Sequence, residues 1–152
     1  MARASGETWP EAAGIIAQAE TLRDRATPLA EADAEQYEAA LRAREENGGE
    51  QGDRRDFALG KAYARAAEPP LQIVRTAGDV AQLAIAVAEN GNPALRADAV
   101  TAALLAVAAA KAGAELVAVN LTASASDPRV LEAAKLAEEA VRAAEAARTV
   151  RE

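Results

Sequence analysis

Histidine and cysteine are both missing from the 152 residues, so proton chemistry falls to carboxylates in places where carboxylates are unusual. Asp33 is the first of these. A stripe runs Ala12, Ile15, Ala19, Leu22, Ala26, Leu29, Asp33, Gln36, Ala40. Its spacings alternate three and four, which puts all nine on one helix face. Asp33 occupies a place the pattern reserves for an apolar side chain, and Tyr37 lies beside it one turn on. On a core-facing stripe a carboxylate loses water, and its pKa rises toward the range of a general base. The other reading turns on Pro28, which interrupts the pattern and could shift its phase so that Asp33 faces water.

Asp98 is the second. It stands in the first turn of a long apolar run, Asn90 to Leu121, where a carboxylate complements the positive end of the helix dipole. A purely electrostatic role and a chemical role are both open to it. Asn120 is a polar amide late in the same run. It is either satisfied by backbone or acts as a helix-end cap near Thr122 and Ser124. On an unbroken helix Asp98 and Asn120 project at similar angles but lie about 33 Å apart. They cannot meet within one chain, although two subunits could bring them together.

The elements that carry these residues read as helices throughout. The apolar content is 51% with only 3% aromatic, so Ala, Leu and Val supply the core and favour helix over strand. Thr8 is a candidate N-cap, with Pro10 just inside the helix and Glu11 three residues on. Residues 45–53, Glu-Glu-Asn-Gly-Gly-Glu-Gln-Gly-Asp, read as a flexible linker. A second stripe follows: Phe57, Gly60, Ala64, Ala67, Leu71, Val74, Gly78, Ala81, Ile85, Ala88. It keeps its phase across Pro69-Pro70, which predicts one long helix bent at the prolines or two helices meeting there. Asn90-Gly91-Asn92 stops that helix and Pro93 opens the next. The central helix is apolar on nearly every face, so other helices should enclose it, with a bend or restart near Gly113. Asp127 N-caps a last helix with Pro128 at its first position and a stripe of Val130, Ala134, Ala137, Val141, Ala144. The stretch ELVAVNL (115–121) resembles a strand in composition but reads as helix in this context. The fold class expected is all-α, an up-and-down bundle of long kinked helices in a single domain over 1–152.

Composition excludes several functions. Without His or Cys there is no conventional zinc site, no Ser-His or Cys-His pair and no disulfide, and no metal is expected. The net charge of −7 argues against nucleic acid and anionic membrane as partners. The central run is long enough to span a bilayer, but Asp98, Lys111 and Glu115 inside it argue against that. The N-terminal segment has no apolar core of a signal peptide, and a cytoplasmic location is expected.

Four segments taken in order, ADAEQYEAALRA (32–43), AAEPPLQIV (66–74), GNPALRADAVTAALLA (91–106) and GAELVAVNL (113–121), resemble the cyclodeaminase/cyclohydrolase family. This family includes the cyclodeaminase half of formiminotransferase-cyclodeaminase and bacterial methenyltetrahydrofolate cyclohydrolases. The resemblance covers roughly residues 10–150. It implies an all-helical homodimer that binds a tetrahydrofolate derivative as substrate near the subunit interface. It also implies catalytic roles for Asp33, which matches the family's Asp-x-x-x-Tyr position, and for Asp98, which matches its Gly-Asn…Ser-Asp-Ala segment. Tyr37, Asn92 and Asn120 are implied folate-binding residues.

Three departures from the family pattern stand out. The family's first helix, with its Pro-Gly-Gly-Gly-Ser loop, has no counterpart, and the chain starts at what would be the second helix. The acidic linker replaces a common Leu-Pro-Lys, and Ala97 stands where the family has Ser. Two readings follow: a folate cyclohydrolase or cyclodeaminase, or a non-catalytic or altered-ligand relative that serves as a helical dimerisation or small-molecule-binding protein. On either reading the apolar stripes leave a groove that a second subunit is expected to fill.

Overall fold

The structure, a computed structural model, describes residues 9–47, 52–121 and 126–150. Those residues form six α-helices and one 3₁₀ turn, with no strand among them. They are α1 (Ala12–Ala26), α2 (Leu29–Glu46), α3 (Asp53–Ala66), α4 (Glu68–Asn90), the 3₁₀ turn Pro93–Leu95, α5 (Arg96–Asn120) and α6 (Pro128–Thr149). The expected all-α bundle of long kinked helices is present. Helices α1 and α2 form a first arm kinked at Thr27-Pro28, and α3 and α4 form a second that returns along it. Arms three and four are α5 and α6.

The core lies where α4, α5 and α6 meet, and its composition sets its geometry. Three apolar layers stack along it. One holds Leu71 and Val74 with Val117, Leu121 and Ala133. The next holds Ala77 and Ala81 with Ala106, Ala110, Ala137 and Ala140. The last holds Ala84 and Ala88 with Ala99, Ala103, Ala144 and Ala147. Residue numbers rise along α4 as they fall along α5, so the two are antiparallel, and α6 reverses again. Side chains this small let backbones approach closely, and dispersion contacts between them replace bulk. Gly113 marks the tightest point. A Cβ there would sit 2.7 Å from Val74 Cγ2 and 3.0 Å from the Pro70 carbonyl. The restart allowed for near Gly113 does not occur: α5 is one continuous helix from Arg96 to Asn120, and the glycine serves close packing.

The first arm is attached more lightly. Only Ala12 in α1 and Ala40 in α2 are buried. Pro28 has no N–H to donate to Asp24, so the helix breaks there and restarts. Thr27 caps the end of α1 through its N–H and its Oγ1, both donated to the Arg23 carbonyl, at 2.9 and 2.8 Å. After the break the stripe faces inward, since Leu29, Asp33 and Gln36 are half-buried while Glu31, Ala34 and Glu35 are exposed; before it, Ile15 and Leu22 are half-buried but Ala19 and Ala26 of the predicted stripe are exposed.

The second arm departs from expectation. From Ala67 to Ala88 the predicted stripe faces inward, but Phe57 is 75% exposed and Gly60 also points out. The break at Ala67 rotates the α3 face, which turns Arg55, Leu59, Ala62 and Ala66 toward α2. In α6 the buried positions are Ala133, Ala137, Ala140, Ala143, Ala144 and Ala147. Of the predicted stripe, Ala137 and Ala144 are buried, Val130 and Val141 are half-buried and Ala134 is exposed. The predicted linker is shorter than 45–53, because α2 runs to Glu46 and α3 starts at Asp53. Gly52 takes φ +102° at the start of α3, a conformation that costs glycine little. Residues 48–51 lie outside the described residues, as do Thr8, Thr122 and Ser124.

Candidate functional site

Asp33 sits half-buried on the inner side of α2, and loss of water raises its pKa above the ordinary carboxyl value. This is the perturbation that the stripe pattern predicts for a carboxylate in an apolar position. Tyr37, one turn on, is about half exposed at 49%. Arg25, before the kink, pairs with Asp79 and donates from Nε to the Thr76 Oγ1 at 3.0 Å. Thr76 is the buried polar residue of α4 among those described, and its hydroxyl donates a hydrogen bond to the Gln72 carbonyl at 2.8 Å. The kinked arm is thereby fixed to the middle of α4.

Asn120 lies at the same end of the bundle and is bound into it. Pro70 has no N–H, so the Ala66 carbonyl loses the helical donor it would otherwise have. The Asn120 amide supplies the replacement, donating from Nδ2 to the Ala66 oxygen at 3.0 Å. Two residues earlier, Arg129 also reaches the end of α3, with Nη1 donating to the Ala64 carbonyl at 2.9 Å. The rest of its fork is bidentate on Asp127, Nε to Oδ1 at 3.0 Å and Nη2 to Oδ2 at 2.9 Å. Asp127 also caps α6 by accepting the Arg129 N–H at 2.9 Å. These donors lower its pKa to about 2. The signal for this clasp is in the sequence, in a cap residue two positions before an arginine. What the sequence does not reveal is that the guanidinium reaches back to a proline-broken helix.

Asp98 and Asn92 lie at the other end. Asn92 accepts the Ala94 N–H through Oδ1 at 3.0 Å and so caps the 3₁₀ turn that leads into α5. Asp98 is exposed in the first turn of α5. It projects on the same side as Ala102, one turn on, and Ala102 lines an apolar groove of about 510 Å³ between α1, α4 and α5. The floor is Val80, Leu83, Ala84 and Val87 of α4, and Ile15, Ile16, Ala19 and Leu22 of α1 form one wall. Glu20 and Arg23 bring charge to it. The volume and apolar lining match those of small-molecule sites.

The five sequence-predicted residues therefore fall into two groups. Asp33, Tyr37 and Asn120 lie toward the α3–α4 junction, and Asn92 and Asp98 lie at the far end. Arg25 meets α4 at Thr76, and the layer containing Ala99 meets α4 at Ala88. That interval is about 18 Å of helix, and Asp33 lies beyond Arg25 on the side away from Asp98. The two aspartates are not neighbours in one chain. Among the described residues no cluster of three metal-binding side chains occurs.

Comparison with known proteins adds one match. A family model described as formiminotransferase-cyclodeaminase matches residues 2–142. No curated protein and no solved structure matches the chain. The helical bundle, the order of its proline and asparagine landmarks and this match over nearly the whole length agree, and the chain belongs to the formiminotransferase-cyclodeaminase family.

Proposed function

We propose that the protein acts on a tetrahydrofolate derivative, as a methenyltetrahydrofolate cyclohydrolase or a formiminotetrahydrofolate cyclodeaminase. The observation that carries this reading is Asp33, a half-buried carboxyl with raised proton affinity in a chain without histidine. In the cyclohydrolase reaction, water bonds to the methenyl carbon as its proton passes to the carboxylate. The carbon–nitrogen bond to one ring nitrogen then breaks, and that nitrogen is protonated, leaving a formyl group. In the cyclodeaminase reaction a folate nitrogen closes on the formimino carbon and ammonia leaves with the proton it needs. Either reaction asks only for positioned acid–base groups. The apolar groove beside Asp98 suits a flat pteridine, with Asn92 and Tyr37 as further contacts for the substrate. Because Asp33 and Asp98 lie far apart in one chain, the site on this reading is completed by a second subunit.

A second reading is favoured by a specific observation. The Asn120 amide donates to the Ala66 carbonyl, which suits a scaffold that has kept its architecture while binding another small molecule or none. On both readings the protein works in the cytoplasm without nucleic acid. The segments 53–90 and 93–120 are long and apolar enough to cross a membrane by length and composition alone. The charges Lys111 and Glu115 midway along α5 favour a water-soluble role.

Calorimetric titration of the full chain with tetrahydrofolate and with 5,10-methenyltetrahydrofolate separates the readings. Saturable binding of either, weakened in Asp98→Asn, supports the enzyme. Absence of heat with both supports the altered-ligand relative.

A further inference from the structure

We propose that α1 is a rocker, which rolls along its line of contact with α4 between two grooves, so that filling one groove narrows the other. The inference goes beyond the enzymatic reading, since it holds whichever small molecule the first groove takes. That groove, about 510 Å³ on the α5 side of α1, has a counterpart of about 580 Å³ on the opposite flank. Ile15 and Leu22 of α1 and Leu83 of α4 line both grooves. Ile15 and Leu22 stand two turns apart on one side of α1, so with Leu83 they form a single ridge on which the helix rests. A helix whose ridges interlock with several grooves of its neighbour resists rolling. One seated on a single ridge, with open space on both flanks, does not.

The burial of α1 agrees. Of its fifteen residues Ala12 alone is buried, and the ridge residues Ile15 and Leu22 are only half-buried. The segment is held at its two ends. Trp9 and Ala12 are buried at the start, and near the other end Arg25 pairs with Asp79 and donates to Thr76. The break at Pro28 then frees α1 from the helical hydrogen bonds that would make it one rigid rod with α2. Holds at both ends and a ridge between them leave rotation about the helix's own length as the easy motion. Elements with so few buried apolar contacts are the ones that move at low cost.

The two grooves differ in chemistry. The first is walled mainly by aliphatic side chains, whereas Gln18, Thr21, Asp79 and Gln82 line the second. An apolar molecule suits the first and a small hydrogen-bonding molecule the second. Because each narrows the other's groove, the two oppose each other's binding, and by linkage they do so equally. Asp79 places the Arg25 tether on the side of the second groove. The tether therefore restrains a roll toward the first groove and not a roll toward the second.

Disulfide trapping tests the proposal, and a chain without cysteine suits it. Ala19 and Ala102 stand on opposite walls of the first groove, and Gln18 and Ala86 on opposite walls of the second. Two variants of the full chain, Ala19→Cys with Ala102→Cys and Gln18→Cys with Ala86→Cys, are exposed to oxidised glutathione. Mass spectrometry without reductant then follows the intramolecular bond, seen at the mass of one chain. Each pair should close with unchanged far-ultraviolet circular dichroism. Adding Arg25→Gln should speed closure of the first pair about fivefold and leave the second within about twofold. In the native chain, methyl relaxation dispersion should show exchange at Ile15, Leu22 and Leu83 and none at Leu71, which is wholly buried in another layer of the core. Closure of only one pair, equal rates with and without Arg25→Gln, or flat dispersion at the ridge methyls would each overturn the proposal. None of these readouts involves folate, so failure here is distinct from failure of the enzymatic reading.

Discussion

Three side chains illustrate how one type of atom takes different roles with its surroundings. Asn120 replaces the donor that Pro70 lacks, so truncating it leaves the Ala66 carbonyl inside the bundle without a partner. Asn120→Ala should lose about 1–3 kcal/mol of stability, read as a lower urea midpoint with an unchanged slope. Asp127 and Asp33 are shifted in opposite directions. The Arg129 fork and N–H hold Asp127 near 2, below an unfolded value of about 3.9. Its ionised form thus stabilises the fold above the unfolded value, and this is lost as pH falls through the folded one. Asp127→Asn should therefore narrow its stability deficit against the native chain between about pH 4 and pH 2, as followed by acid titration of the helical signal. For Asp33 the sign reverses, because burial raises its pKa. Ionisation costs stability at neutral pH, and the cost is absent below the unfolded value of about 3.9. Asp33→Asn should raise the melting temperature slightly at pH 7 and leave it unchanged at pH 3.

At the scale of elements, the junctions decide the architecture. Helix α5 and helix α4 approach most closely where Gly113 lies against Val74 and Pro70. Gly113→Ala gains up to about 1 kcal/mol of helix propensity but forces a methyl into occupied space at a typical cost of about 1–3 kcal/mol. The Pro70 carbonyl cannot rotate away as a side chain could. A net loss of stability is expected in denaturant unfolding. The same junctions show what the sequence makes legible. Helix starts at Pro93 and Asp127, the break at Pro28 and the inward phase from Ala67 to Ala88 follow from local chemistry, and the structure contains each of them. The outward rotation of Phe57 does not, because it depends on how far the chain turns at Ala67, where no residue type dictates the angle. The unbroken path of α5 through Gly113 was hidden for a related reason. A glycine required by a neighbouring helix has the same spelling as one that ends its own helix.

At the scale of the whole molecule, an alanine-built core lets three helices pack closely but leaves few large side chains to fix partners. Leu71, Val74, Val117 and Pro70 are the largest wholly buried ones. Ion pairs join the helices where apolar bulk is thin, as in the bidentate contact of Arg75 with Glu132 at 2.7 and 2.9 Å. No spacing rule predicts a contact between positions so distant in sequence. The candidate site shares this limit. Residue types and family landmarks single out Asp33 and Asp98, yet only the three-dimensional path of the chain shows them at different levels of the bundle. The central claim is that Asp33 moves the proton in a folate one-carbon reaction. The most direct test is the time course of methenyl absorbance when 5,10-methenyltetrahydrofolate is mixed with the protein at neutral pH. The account predicts an accelerated loss of absorbance that falls at least about a hundredfold in Asp33→Asn while the variant stays folded. Decay no faster than in buffer, or equal in the variant, would contradict it, provided that ammonia release from formiminotetrahydrofolate is likewise absent or unaffected.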